Sequence, residues 1–142
     1  RSAKSEERVV LSLDDLDIDH ILPQTWSTHW SLTDGSMVSA QEVGDARLLS
    51  LTATELTDKA KAIAQREASV PTIGNLTMVH YGVNRSVQNK EFAVKRQALF
   101  EHSNLQLNRT LTATSLWNEA EIQKRAEMLF EHALRLWPRS SA

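Results

Sequence analysis

The sequence predicts an α+β fold in which the β part is small. Three observations carry this reading. Apolar residues recur at helical spacing over several stretches, and only two short runs carry apolar and β-branched residues in strand fashion. A length of 142 residues gives room for one domain with a real core. A composition of 41% hydrophobic and 24% charged residues is that of a globular chain rather than a disordered tail. The absence of cysteine excludes a disulfide scaffold, a thiol nucleophile and a thiolate zinc site. No apolar run approaches the ~18 residues of a membrane span and no signal peptide is visible, so the expected compartment is the cytoplasm. The chain opens on Arg1 rather than Met, as a piece of a longer protein would.

Taken in order, residues 1–8 are polar and read as a linker or frayed lead-in. Val9, Val10, Leu11, Leu13, Leu16 and Ile18 suggest a short extended segment running into Asp19-His20-Ile21-Leu22, where Pro23 stops it. Turn chemistry around Asp34 and Gly35 follows Trp26 and Trp30, which are expected to anchor the region 25–72 by packing. Helices are expected over 39–50 and over 54–68, the second capped by Thr54, with Pro71 closing the section. Residues 73–79 read as a turn entering a strand that Gly82 breaks. One helix is expected over 86–102, then a connector over 104–111. A last helix over 116–136, capped by Thr114 or Ser115, would bury Ile122, Ala126, Leu129, Phe130, Ala133 and Trp137.

The formal charge of −2 hides an asymmetry, with net −5 over residues 1–80 and net +3 over 81–142. Such a balance does not announce a nucleic-acid partner, although a local basic stretch can face one. The chemistry concentrates in two places. Asp19 directly precedes His20 at the end of an apolar segment. Successive strand residues point to opposite faces, so the two can share a site only at an irregular turn, for which Pro23 gives a reason. Fifty-five residues after His20 comes Gly74-Asn75-Leu76, followed by Asn84, Asn89, Phe92, Lys95 and Arg96.

This set resembles the HNH nucleases, whose ββα-metal unit places Asp-His on a first strand, Asn in a turn, and His or Asn on a helix. More narrowly, several segments together resemble the C-terminal HNH domain of GmrSD-type type IV restriction endonucleases and the related phosphorothioate-sensing SspE defence proteins. They are Asp19-His20-Ile21-Leu22-Pro23-Gln24, Ile73-Gly74-Asn75-Leu76-Thr77, Asn84 with Asn89 and Phe92, Lys95-Arg96, and Trp117, Ile122, Arg125 and Trp137-Pro138. They span residues 16–138. The resemblance implies a ββα-metal unit embedded in a mostly helical domain, with 25–72 as a helical insertion. It also implies a missing N-terminal nucleotide-hydrolysing sensor domain as partner, and a bacterial anti-phage function. The third position is Asn84 where many such nucleases have His, which suits a hard, oxygen-preferring ion.

On this reading the chain is a metal-dependent endonuclease domain hydrolysing DNA phosphodiester bonds. His20 is the expected general base, and Asp19 and Asn84 the expected ligands of one Mg²⁺ or Mn²⁺. Asn75 is grouped with the catalytic residues, holding the turn and orienting the His20 loop. Arg85, Lys90, Lys95 and Arg96 are the expected phosphate contacts. Lys95 and Arg96 lie about 100° apart on a helix, so at most one points at the site. Other readings stand beside these. Asn75 after Gly74 is an ordinary turn residue, Asn84 is a possible cap for a helix starting near Ser86, and Asn89 is the alternative ligand. The alternative function is a non-catalytic DNA-binding or regulatory module retaining the fold. A third reading is a helical interaction domain in which Asp19-His20 is incidental.

Overall fold

The computed structural model describes residues 12–52 and 55–140 of the chain. Ser12 caps a 3₁₀ turn at Leu13–Asp15 by accepting from the Asp14 N–H, and strand β1 runs over Leu16–His20. Helix α1 covers Ala40–Thr52 and α2 covers Asp58–Ser69. A 3₁₀ turn at Ile73–Asn75 leads into β2, Leu76–His80. Four helices follow: α3 (Tyr81–Val87), α4 (Phe92–His102), α5 (Gln106–Thr112) and α6 (Glu119–Leu136). The strands form one antiparallel pair with Asp19 opposite Thr77 and His20 opposite Leu76. The α+β class with a small β part therefore holds.

Several boundaries differ from expectation, each for a local reason. The Val9-Val10-Leu11 part of the first extended segment and the Thr54 cap lie outside the described residues. α2 starts four residues later than expected, where the Thr57 hydroxyl accepts from the Ala60 N–H at 3.1 Å. Strand β2 ends at His80, two residues before Gly82, because α3 begins at Tyr81. Gly82 sits in the first turn of α3, where its N–H donates to His80 Nδ1 at 3.2 Å. The expected helix over 86–102 is two helices, because the Lys90 carbonyl accepts from the Trp30 indole at 3.3 Å while Phe92 packs between Trp30 and Trp117. Asn84 thus lies inside α3 and is not the cap of a helix starting near Ser86. The expected connector over 104–111 contains α5. Its Asn108 is buried, donates to the Met78 carbonyl and Ser103 Oγ, and accepts from Thr77 Oγ1.

The last helix starts at Glu119 under an Asn118 cap rather than at Leu116, with Asn118 Oδ1 accepting from the Glu121 N–H at 3.0 Å. Its buried positions are Ile122 and Arg125; Phe130 and Trp137, expected inside, are 59% and 74% exposed. Trp26 and Trp30 are buried in one core with Ile21, Leu22, Ile63, Phe92, Trp117 and Ile122.

The 3₁₀ turn before β2 is the tightest point of this packing. A Cβ at Gly74 would enter the van der Waals radius of the Ile122 carbonyl oxygen and stand 3.0 Å from the Ala126 Cβ. Backbone cannot yield there as a flexible side chain would. Gly74→Ala is therefore expected to cost about 3 kcal/mol of stability, as overpacking a closed contact does. A urea-unfolding midpoint within error of wild type would refute the assigned contact.

Candidate active site

The end of β1, the turn after it and the C-terminal part of α3 enclose a cleft of about 240 Å³. Asp19, His20, Asn84 and Asn89 all line it. A larger cleft of about 470 Å³ lies beside α5 and α6, but its walls are mainly apolar. What distinguishes the smaller one is convergent polar chemistry rather than size.

Asp19 and His20 are neighbours on a strand, yet both reach this cleft. They can do so because His20 is the last residue of β1, after which the chain turns through Ile21 and Leu22 into buried Pro23. Asn75 fixes that turn. Its Oδ1 accepts from the Leu22 N–H at 2.8 Å, and its Nδ2 donates to the Leu22 and Val70 carbonyls, both at 2.9 Å. The Trp117 indole donates to the same Oδ1 at 3.1 Å, and the Asn75 carbonyl accepts from the Ile21 N–H at 2.9 Å. Asn75 is fully buried and does not line the cleft; its side chain braces the turn, which is the supporting part of the role expected for it.

Behind Asn75 stands Arg125, whose Nη1 donates to the Gly74 and Leu76 carbonyls at 2.9 and 2.6 Å. Its Nε and Nη2 are buried without a partner among the described residues, and burial lowers its pKa to about 10.

Lys95 is not a surface cation. It is 2% exposed, and its ammonium donates to Asp19 Oδ2 at 3.0 Å and to the His20 carbonyl at 2.6 Å. Burial raises the Asp19 pKa, and the adjacent ammonium offsets this only in part. Burial likewise lowers that of Lys95 against the pull of Asp19. The phosphate-contact expectation for Lys95 is corrected accordingly, because its charge is spent inside the protein. Arg96, one residue on, points away from Lys95 and donates one N–H to the Thr114 carbonyl at 2.9 Å. Arg85 and Lys90 are exposed, and Arg85 lies over the Tyr81 ring at 5.5 Å.

On α3, Asn84 Nδ2 donates to Asp17 Oδ2 at 3.3 Å, while its Oδ1 is buried with no hydrogen-bond partner among the described residues. Asn89 is exposed and accepts from Thr25 Oγ1 at 3.4 Å. No group of three His, Asp or Glu able to hold a metal occurs among the described residues.

The model of the family described as GmrSD restriction endonucleases, C-terminal domain, matches residues 1–132. The chain belongs to that family. No curated protein and no solved structure matches it. A GmrSD C-terminal domain is a nuclease part of a restriction system, and the segments Asp19–Gln24, Ile73–Thr77 and Asn84 all fall within the matched span. No helix among the described residues of this domain is long and apolar enough to cross a membrane.

Sequence reading does not single out Asp17, assigns Lys95 to phosphate and names Arg125 only within the resemblance, so the scaffold roles of all three come from the structure. Asp17, which orients the Asn84 amide, carries no sequence signal beyond its place two residues before Asp19. Lys95 and Arg125 do carry one. Phe92, Lys95 and Leu99 are spaced i, i+3 and i+7, as are Ile122, Arg125 and Leu129, which puts each cation on its helix's apolar face.

Proposed function

We propose that this domain is a metal-dependent HNH endonuclease that cuts or nicks DNA, the effector part of a bacterial restriction protein acting in the cytoplasm. One observation carries the reading: Asp19, His20 and Asn84 line a single polar cleft, and Asn84 Oδ1 has no hydrogen-bond partner among the described residues. β1, β2 and α3 then serve as the strand–strand–helix unit of that nuclease class, with residues 25–72 as the inserted helical part.

The residues present fit a hard divalent cation. Asn84 Nδ2 is committed to Asp17, which leaves its carbonyl oxygen as a buried acceptor with an unmet partner, and a buried acceptor of that kind is costly. Asp19 has one oxygen on Lys95, and its other oxygen would be the one to coordinate the ion. Asp19 and Asn84 would hold one Mg²⁺ or Mn²⁺, with Asn89 on the rim as the alternative. When bound, such an ion neutralises charge on the phosphoryl oxygens and the leaving oxygen. His20 takes the proton from the attacking water as general base. Exposed Arg85 and Lys90 meet backbone phosphates, which position a duplex without reading its sequence. Low sequence and modification preference follows, and the upstream nucleotide-hydrolysing sensor domain supplies recognition.

Supercoiled plasmid tests this. Conversion to open-circular or linear DNA is expected with Mg²⁺ or Mn²⁺ and not with excess EDTA; cleavage undiminished by EDTA would remove the metal mechanism. Asn84→Ala is expected to raise the half-activating Mg²⁺ concentration about tenfold, through loss of one oxygen ligand from an open site. If Asn84→Ala is silent and Asn89→Ala is not, the ligand is Asn89.

A further inference from the structure

The described residues contain three buried cations, and each meets its surroundings differently. Arg66 pairs with Glu119 at 2.6 Å on the side of the molecule formed by α2 and α6. Arg125 holds backbone carbonyls of the turn before β2. Lys95 alone reaches the cleft residues, with its one ammonium joined both to the Asp19 carboxylate and to the His20 backbone carbonyl. A flexible, strongly hydrated side chain is an expensive choice for a buried position. Its placement at the third residue after Phe92, on the buried face of α4, commits the group to this one contact.

We propose that Lys95 is a positioning residue of the nuclease centre, an inference that rests on the metal-dependent reading above. Its ammonium fixes which carboxylate oxygen Asp19 turns to the cleft and pins the last peptide of β1. The pinned end lets two consecutive strand residues face one site, which strand alternation otherwise forbids. Lys95 also cancels the charge of Asp19 before any divalent ion arrives, so the ion is held loosely while His20 is held firmly. Neither effect requires Lys95 to touch the substrate.

The two effects give opposite signs when the residue is changed. In Lys95→Met the carboxylate is no longer neutralised, and like-charge repulsion of the incoming ion is gone. Mn²⁺ binding, measured directly by electron paramagnetic resonance, is expected to tighten about tenfold or more. The turnover of plasmid is expected to fall on the order of 10²-fold, since a base displaced by about 1 Å loses that much. DNA affinity in EDTA should stay within about twofold of wild type. A merely structural loss would weaken Mn²⁺ binding together with turnover. Weaker or unchanged Mn²⁺ binding in a folded Lys95→Met variant, or undiminished turnover, overturns the proposal.

Should that variant not fold, wild-type protein labelled with ¹⁵N at lysine provides the test. The Lys95 ammonium resonance is expected to be protected from exchange and to shift on adding Mg²⁺, and a resonance unmoved by Mg²⁺ overturns the proposal. Failure of the underlying reading looks different: wild type would then neither bind Mn²⁺ nor cut plasmid.

Discussion

His20→Ala is expected to slow cleavage of supercoiled plasmid on the order of 10²-fold or more while leaving the fold intact. The magnitude is that of removing a general base from the transition state. The selectivity follows from the packing. His20 is half-buried at the end of β1, and the bond that ties this position to the core is made by its backbone carbonyl, which accepts from Lys95 whatever the side chain. The β1–β2 pairing of His20 with Leu76 is likewise backbone. Thermal stability should therefore change little, and DNA affinity measured in EDTA should match wild type. Single-turnover cleavage at saturating Mg²⁺ is the decisive measurement, and a variant that cuts like wild type removes His20 from the reaction.

Asn75→Ala should behave in the opposite way, as a loss of stability. The side chain makes four hydrogen bonds in a fully buried position, to Leu22 twice, Val70 and Trp117. Truncation leaves two donors and two acceptors unpaired, and each unsatisfied buried group costs about 1–3 kcal/mol. A loss of about 4 kcal/mol or more is expected even if the neighbours relax, against a total of about 5–15 kcal/mol for an ordinary domain. The urea midpoint should fall sharply with an unchanged m-value. Activity per folded molecule at low temperature should decline far less than in His20→Ala. A variant as stable as wild type would contradict the hydrogen-bond assignment, whereas a stable but inactive one would return Asn75 to the chemistry.

The corrections among the basic residues share one cause. Arg85, Lys90, Lys95 and Arg96 look alike as sequence, four cations within twelve residues. Their helical phase separates Lys95 from Arg96, as the angular argument required, but phase does not say which element lies opposite. α4 presents Lys95 to the end of β1 and Arg96 to the carbonyl of Thr114. Both contacts span chain distances that no local pattern encodes. The split of the expected 86–102 helix has a similar origin, since the Trp30 indole that takes the Lys90 carbonyl lies sixty residues upstream. Phe130 and Trp137 went the other way: helical spacing put them on an apolar face, but the buried positions of the helix, Ile122 and Arg125, lie near its start.

By itself the sequence determined the class of fold, the two short strands, the turn that Gly74 and Asn75 make, and the residue types from which a phosphodiester-cleaving centre can be built. These are legible because strand alternation, proline and glycine punctuation and the adjacency of Asp19 and His20 are properties of neighbouring residues. Only the tertiary structure decided that Asp19 and His20 face one cleft with Asn84, that Asn75 is a buried brace, and that Lys95 is an internal counter-charge. Each of those depends on which donor meets which acceptor once water is excluded. Burial makes an unpaired polar group costly, and the partner that relieves the cost is found by packing across the chain rather than along it.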